Sequence, residues 1–86
     1  MKRIYKYKLG IEGGKPGIPR FAQILKADFQ GHDLMIWAVV DPEDIDTYER
    51  EFAVYGTGHD MEERPRKFIS TVFIDNLVFH VFEVFN

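Results

Sequence analysis

The sequence contains no cysteine, which removes disulfide scaffolds, thiolate zinc sites and cysteine nucleophiles together. Hydroxyl nucleophiles are scarce: Ser70, Thr47, Thr57 and Thr71 are the only ones apart from tyrosine, and none sits in a strand-to-helix nucleophile elbow. Long apolar runs are also missing. Nothing approaches the roughly 20 consecutive apolar residues of a membrane-spanning helix. Met1 to Leu9 alternates charged and aromatic residues where a secretory leader would carry an apolar stretch. The expectation is a soluble cytoplasmic chain with no membrane partner. No stripe of helical period exceeds two turns, which argues against an α-helical fold.

What the chain does have is aromatic bulk. Its 86 residues are 45% hydrophobic and include eight Phe, four Tyr and one Trp, the composition of a single folded domain spanning residues 1–86. A domain of this size buries only about 60–65% of the surface its unfolded chain exposes. Its stability must therefore come from a dense core, from an oligomeric interface, or from both. Phe79, Phe82 and Phe85 lie on two faces of one C-terminal run, and a homo-oligomer would cover them.

The formal net charge of −3 conceals a division along the chain. Residues 1–26 carry Lys2, Arg3, Lys6, Lys8, Lys15, Arg20 and Lys26 against Glu12 alone, a net of +6, and the remainder carries −9. So modest a basic segment in an acidic chain disfavours nonspecific duplex binding, and nucleic acid is not an expected partner. It permits a local cationic site for an anionic ligand.

Alternation of period two dominates the chain. Tyr5, Tyr7 and Leu9 fall on one side of a first strand, with Ile4, Lys6 and Lys8 on the other. Gly10 to Pro19 holds four glycines and two prolines and is expected as a mobile surface loop. Phe21, Leu25, Ala27 and Phe29 share one face of a second strand, and Gly31-His32 turns the chain into Leu34–Val40. That run is apolar on both faces, so it is expected as a central strand with Trp37 buried. Asp41-Pro42 stops it and can cap a short helix in the acidic segment that ends at Glu51 and contains a single cation, Arg50. Phe52 to Gly56 makes a fourth strand. Phe68–Ile74 and Leu77–Phe85 form a hairpin about Asp75-Asn76, a pair suited to a type I′ turn. The expected fold is mainly β: a small six-stranded antiparallel sandwich or partly open barrel with at most one short helix.

Several segments resemble functional motifs. Gly10-Ile11-Glu12-Gly13-Gly14-Lys15-Pro16 has one residue too few for a phosphate-binding Walker loop and a proline where the magnesium-binding hydroxyl belongs. Gly56-Thr57-Gly58-His59 ends a strand and can turn backbone N–H groups toward an anion, or can exist only because the backbone needs a positive φ. His32, His59 and His80 show no metal-ligand spacing with Asp33, Asp60 or Glu83, so no metal and no cofactor is expected. Glu83 shares a face with Phe79, Val81 and Phe85. A buried carboxylate there needs a cation, from the first strand or from a partner subunit, unless the strand surfaces at its end. No catalytic residue is assigned. The candidate ligand-binding set is Thr57, Gly58 and His59 with Lys6, Lys8 and Arg20: a glycine turn offering donors, together with cations near alternating strands.

The order of Lys6-Tyr7-Lys8-Leu9, Ala22-Gln23-Ile24-Leu25, Trp37-Ala38-Val39-Val40-Asp41-Pro42, Tyr55-Gly56-Thr57-Gly58-His59 and Leu77-Val78-Phe79-His80-Val81-Phe82-Glu83 resembles a family of small uncharacterised bacteriophage proteins. The resemblance covers most of the chain and departs from the pattern in Gly10 to Gly17. It implies a viral origin and action in the cytoplasm of a bacterial host. The function then expected is that of a phage-encoded binding protein directed at a host component, a host protein or a nucleotide signal, in a counter-defence role. A structural or interaction protein of the virion and a small enzyme acting on an anionic substrate are the alternatives.

Overall fold

The computed structural model describes residues 1–86, which form eight strands and no helix. Consequently no helix is long and apolar enough to cross a membrane. The strands are β1 (Arg3–Leu9), β2 (Gly17–Pro19), β3 (Gln23–Gln30), β4 (Asp33–Val40), β5 (Thr47–Glu49), β6 (Glu51–Gly56), β7 (Arg66–Ile74) and β8 (Leu77–Val84). They pair antiparallel into three sheets, ordered β1-β4-β3, β2-β5 and β6-β8-β7. The six longer strands match the expected ones. The two short strands are additions to the six-stranded expectation, and they arise where composition argued for a loop and for a short helix.

Alternation explains how the two larger sheets meet. Leu34, Ile36, Ala38 and Val40 of β4 point inward with Leu9 and Ala27, against Phe52, Val72 and Val81 of the second sheet, and all are buried. The Cα trace is only 15 Å in its thinnest dimension, as two sheets about 10 Å apart require. Trp37 departs from expectation. It occupies the central strand, but its odd position in β4 puts it on the outer face, half-buried.

The two flanks of the sandwich are closed to different extents. On one, β3 and β7 carry facing irregularities, at Leu25 and Ile69, and the Ala27 N–H donates to Ser70 Oγ at 3.0 Å. The bulge turns Leu25 away from the face it was expected to share with Ala27, and Phe21 falls outside the strand, strongly exposed. On the other flank, the glycine-rich segment pairs with the edge of β6. Gly14 and Phe52 exchange two backbone hydrogen bonds, of 3.0 and 2.8 Å. Gly13, at φ 89°, passes so close that an added Cβ would stand 2.4 Å from the Phe52 carbonyl oxygen, which leaves room for no other residue. The segment expected to be a free loop is thus docked on the β6 edge at one residue, and Ile18 just beyond it is wholly buried.

The acidic segment forms turns in place of a helix. Asp41 accepts from the Glu43 and Asp44 N–H groups and Asp44 from that of Asp46, local bonds that compete with helix continuation. The β7–β8 hairpin is as expected, with Ile74 opposite Leu77. Its turn has a positive φ at Asp75 alone, not the two of type I′.

Candidate functional site

The start of β6 and the end of β8 build one cleft, which shares no residue with a smaller one at the opposite ends of these strands. Its floor is ionic. Glu83, facing the core and 5% exposed, accepts from Arg50 Nε at 2.7 Å and from Arg50 Nη2 at 2.9 Å, while Arg50 Nη1 donates to the Ala22 carbonyl at 2.6 Å. The cation demanded by Glu83 therefore comes from the β5–β6 junction of the same chain, not from the first strand or a partner subunit. Glu83 is buried, so the strand does not surface at that point. This fork also ties the second sheet to the residues that precede β3. A bidentate geometry with a third hydrogen bond is what a buried pair needs to offset the loss of hydration.

A second fork lies beside it. Arg64 donates to Glu51 at 2.7 and 2.9 Å, to the Phe85 carbonyl at 3.4 Å and to Asn86 Oδ1 at 3.3 Å, and Glu62 stands 3.7 Å away. The hydrogen bonds from Arg64 hold the Glu51 carboxyl below the usual glutamate range, and the Arg64 guanidinium is raised in turn.

With those pairs closed, the cleft, about 500 Å³ in volume, presents Lys15 and Arg20, neither of which has a carboxylate within 4 Å. Glu49 is the one acid of the lining left unpaired. Arg20 lies beside two exposed aromatic rings: its guanidinium is 4.9 Å from the Tyr48 ring centroid and 5.5 Å from that of Phe21, and Nη1 donates to the Tyr48 hydroxyl at 3.2 Å. Its other donors have no protein partner. Short β5 positions Tyr48 by pairing it with Ile18, whose side chain is anchored in the core.

The second cleft lies at the far ends of β6 and β8, where Thr57 and His59 join Asn76, Leu77 and Phe79. Gly56 to His59 is a single β-turn: the His59 N–H donates to the Gly56 carbonyl at 3.1 Å, and Gly58 takes φ 89°. The His59 ring lies against Gly56, at distances where a Cβ on Gly56 would collide with it. Thr57 Oγ1 is 2.8 Å from His80 Nε2, and Thr71 Oγ1 is 3.0 Å from His80 Nδ1. A hydroxyl at hydrogen-bond distance from an imidazole is the first pair of a nucleophile–base arrangement. Here the third member is a neutral hydroxyl, with no carboxylate to stabilise an imidazolium.

The candidate residues inferred from sequence thus fall in three places. Thr57, Gly58 and His59 share the turn, and Arg20 belongs to the ionic cleft. Lys6 and Lys8 lie on the outer face of the first sheet, where Lys6 donates to Gln30 Oε1 at 2.6 Å and Lys8 stands 3.4 Å from Asp33. The cations do not line the cleft beside Thr57. Sequence reasoning did not assign Lys15, Tyr48, Arg50 and Arg64. The one signal for Arg50 was its solitary cation in an acidic run, with a solitary acid at Glu83 on an apolar strand. No group of three His, Asp or Glu side chains gathers as a metal site.

Fold and site together define a small all-β domain with a cationic cleft at one end of a two-sheet sandwich. The chain belongs to a family described as a domain of unknown function, DUF7352, whose model matches residues 1–86. No curated protein and no solved structure matches it.

Proposed function

We propose that this domain is a binding protein whose ligand carries an oxyanion, a carboxylate or a phosphate, received at Arg20 and Lys15. The observation that supports this reading is the state of Arg20: a guanidinium near two aromatic rings and hydrogen-bonded to one of them, lining a cleft, with no carboxylate partner. The hydrogen bond to Tyr48 and the nearby rings bias the side chain toward the cleft before the ligand arrives, which lowers the ordering cost of a bidentate contact. The neighbouring carboxylates Glu51 and Glu83 are held by Arg64 and Arg50, so they compete little for Arg20. In this proposal the protein is of phage origin and acts on a component of the bacterial host, and the ligand is a nucleotide signal or an acidic segment of a host protein. Self-association is part of the same proposal. Phe79 and Phe82 are covered within the chain, by Phe29 and by Tyr55 and Phe68, so the surface offered to a second copy is the exposed Phe68 and Phe73 of β7.

Isothermal titration with nucleoside phosphates and with an acidic peptide tests the cleft. Arg20→Gln is expected to weaken the ligand by about 1.5–3 kcal/mol, the worth of a hydrogen bond to a charged group, and Lys15→Gln by less. Equal affinity in wild type and Arg20→Gln would overturn the assignment. Sedimentation showing only a 10.1 kDa species at micromolar concentration would overturn self-association.

A further inference from the structure

The outer face of the β1-β4-β3 sheet is covered by no other element, and the register fixes what it displays. Trp37 stands at its centre with Lys6 directly opposite on β1 and Lys26 opposite on β3. One repeat along, Met35 lies between Lys8 and Asp28. Lysines two positions apart on a strand are separated by about 6.6 Å, and those on either side of the central strand by about 10 Å. The result is one aromatic ring bordered on both sides by cations. Its cations come from the basic first 26 residues, and strand pairing is what sets them on both sides of Trp37.

The lysines are held loosely. Lys26 reaches Asp28 at 3.3 Å and lies 5.8 Å from the Trp37 ring centroid, and Lys8 reaches Asp33 at 3.4 Å. Both ion pairs are about half exposed or more, and such pairs contribute little and exchange readily for another anion. Lys6 has a neutral partner, the Gln30 amide, whose place a phosphate oxygen can take with a gain in charge complementarity.

We infer that this face is a platform for single-stranded nucleic acid, with a base stacking on Trp37 and adjacent phosphates meeting Lys6, Lys8 and Lys26. An aromatic ring on an open sheet bordered by cations supplies both elements of such binding, a stacking surface and backbone neutralisation. A duplex hides its base faces and offers only the second. This inference goes beyond the oxyanion cleft and uses none of its residues.

Trp37 is the only tryptophan, so its fluorescence reports the event directly. Titration at low salt with oligothymidylate of about 12 nucleotides, within the range of single-strand site sizes, is expected to give saturable quenching. Neutralisation of phosphates by three lysines gives a slope of log K against log salt of about −2. Lys6→Gln with Lys26→Gln, both exposed and expected to keep the fold by circular dichroism, reduces the slope to about −0.7. Trp37→Leu, followed by anisotropy of a labelled oligonucleotide, lowers affinity by about 10-fold to 100-fold, as loss of one stacked base does. Absence of quenching at low salt would overturn the inference. So would quenching unchanged in the double lysine variant, or equally tight binding of a duplex. Arg20→Gln leaves oligonucleotide binding intact, and a parallel loss in that variant would assign the binding to the cleft.

Discussion

The two ends of the β6–β8 pair are built on opposite principles. At the end formed by Glu51 and Glu83, full charges are matched by bidentate arginines from elsewhere in the chain, Glu83 in the interior and Glu51 partly open to water. At the end formed by Gly56 and Leu77, neutral groups close on one another within a tight turn, Thr57 on His80 and His59 on Gly56. The end with the more suggestive sequence, Gly-Thr-Gly-His, has its one hydroxyl taken by His80 and its histidine ring laid against Gly56. The end with no motif leaves Arg20 and Lys15 free. Local motif and available donor are therefore separate properties, and the second is set by which tertiary partners have already been taken.

Substitutions that disturb each end should differ in size. Arg50→Ala strands Glu83 in the interior and is expected to cost about 3–5 kcal/mol, read by urea denaturation. Arg50→Lys should recover part of this, since an ammonium supplies the charge but not the fork. A loss below about 1 kcal/mol for Arg50→Ala would show that water reaches Glu83 and would erase the contrast. At the other end, Gly58→Ala forces a side chain into the left-handed region where space is open, so the cost is backbone alone, about 1–2 kcal/mol. Thr57→Val removes one hydrogen bond to His80, expected at about 0.5–1.5 kcal/mol.

The smallest effect concerns pH. The Glu51 carboxyl is held below its ordinary value of 4.5 chiefly by the hydrogen bonds from Arg64. A depressed carboxyl stabilises the fold above its unfolded pKa, and that contribution is lost as pH falls through the folded value. Thermal unfolding followed from about pH 6 down to pH 3 should therefore show a decline that is shallower in Arg64→Ala. An identical decline in both proteins would assign the acid sensitivity to other carboxylates.

The alternation that marks strands in sequence also fixed which residues share a face. Lys6 and Lys8 lie opposite Tyr7 and Leu9 as expected, and the Asp75-Asn76 hairpin is in register. What alternation could not supply was the identity of the covered face of β4, where both sides are apolar, and so Trp37 was placed inside. Strands β2 and β5 were not legible because Gly17–Pro19 is framed by glycine and proline and Thr47–Glu49 is three residues inside an acidic run. They pair because Ile18 is drawn into the core, a tertiary effect. The candidate site was legible only in part. Arg20 could be named from its charge, while its selection over Lys6 and Lys8 required knowing that Tyr48, distant in sequence, would stack on it.

The hydrogen-bonded berth of Gly14 on Phe52 has a consequence for the stability of the protein against fibril formation. An uncovered strand edge is a template for another chain, and β6 is hydrophobic along much of its length. While the glycine segment is docked, that template is blocked at Phe52. When it lifts away, Phe52 loses that cover too, and a partly opened form of this kind is expected to polymerise more readily than the closed one. The tight fit at Gly13 thus acts as a shelf-life control: a substitution there would leave much of the fold standing and shorten the time the protein stays in solution.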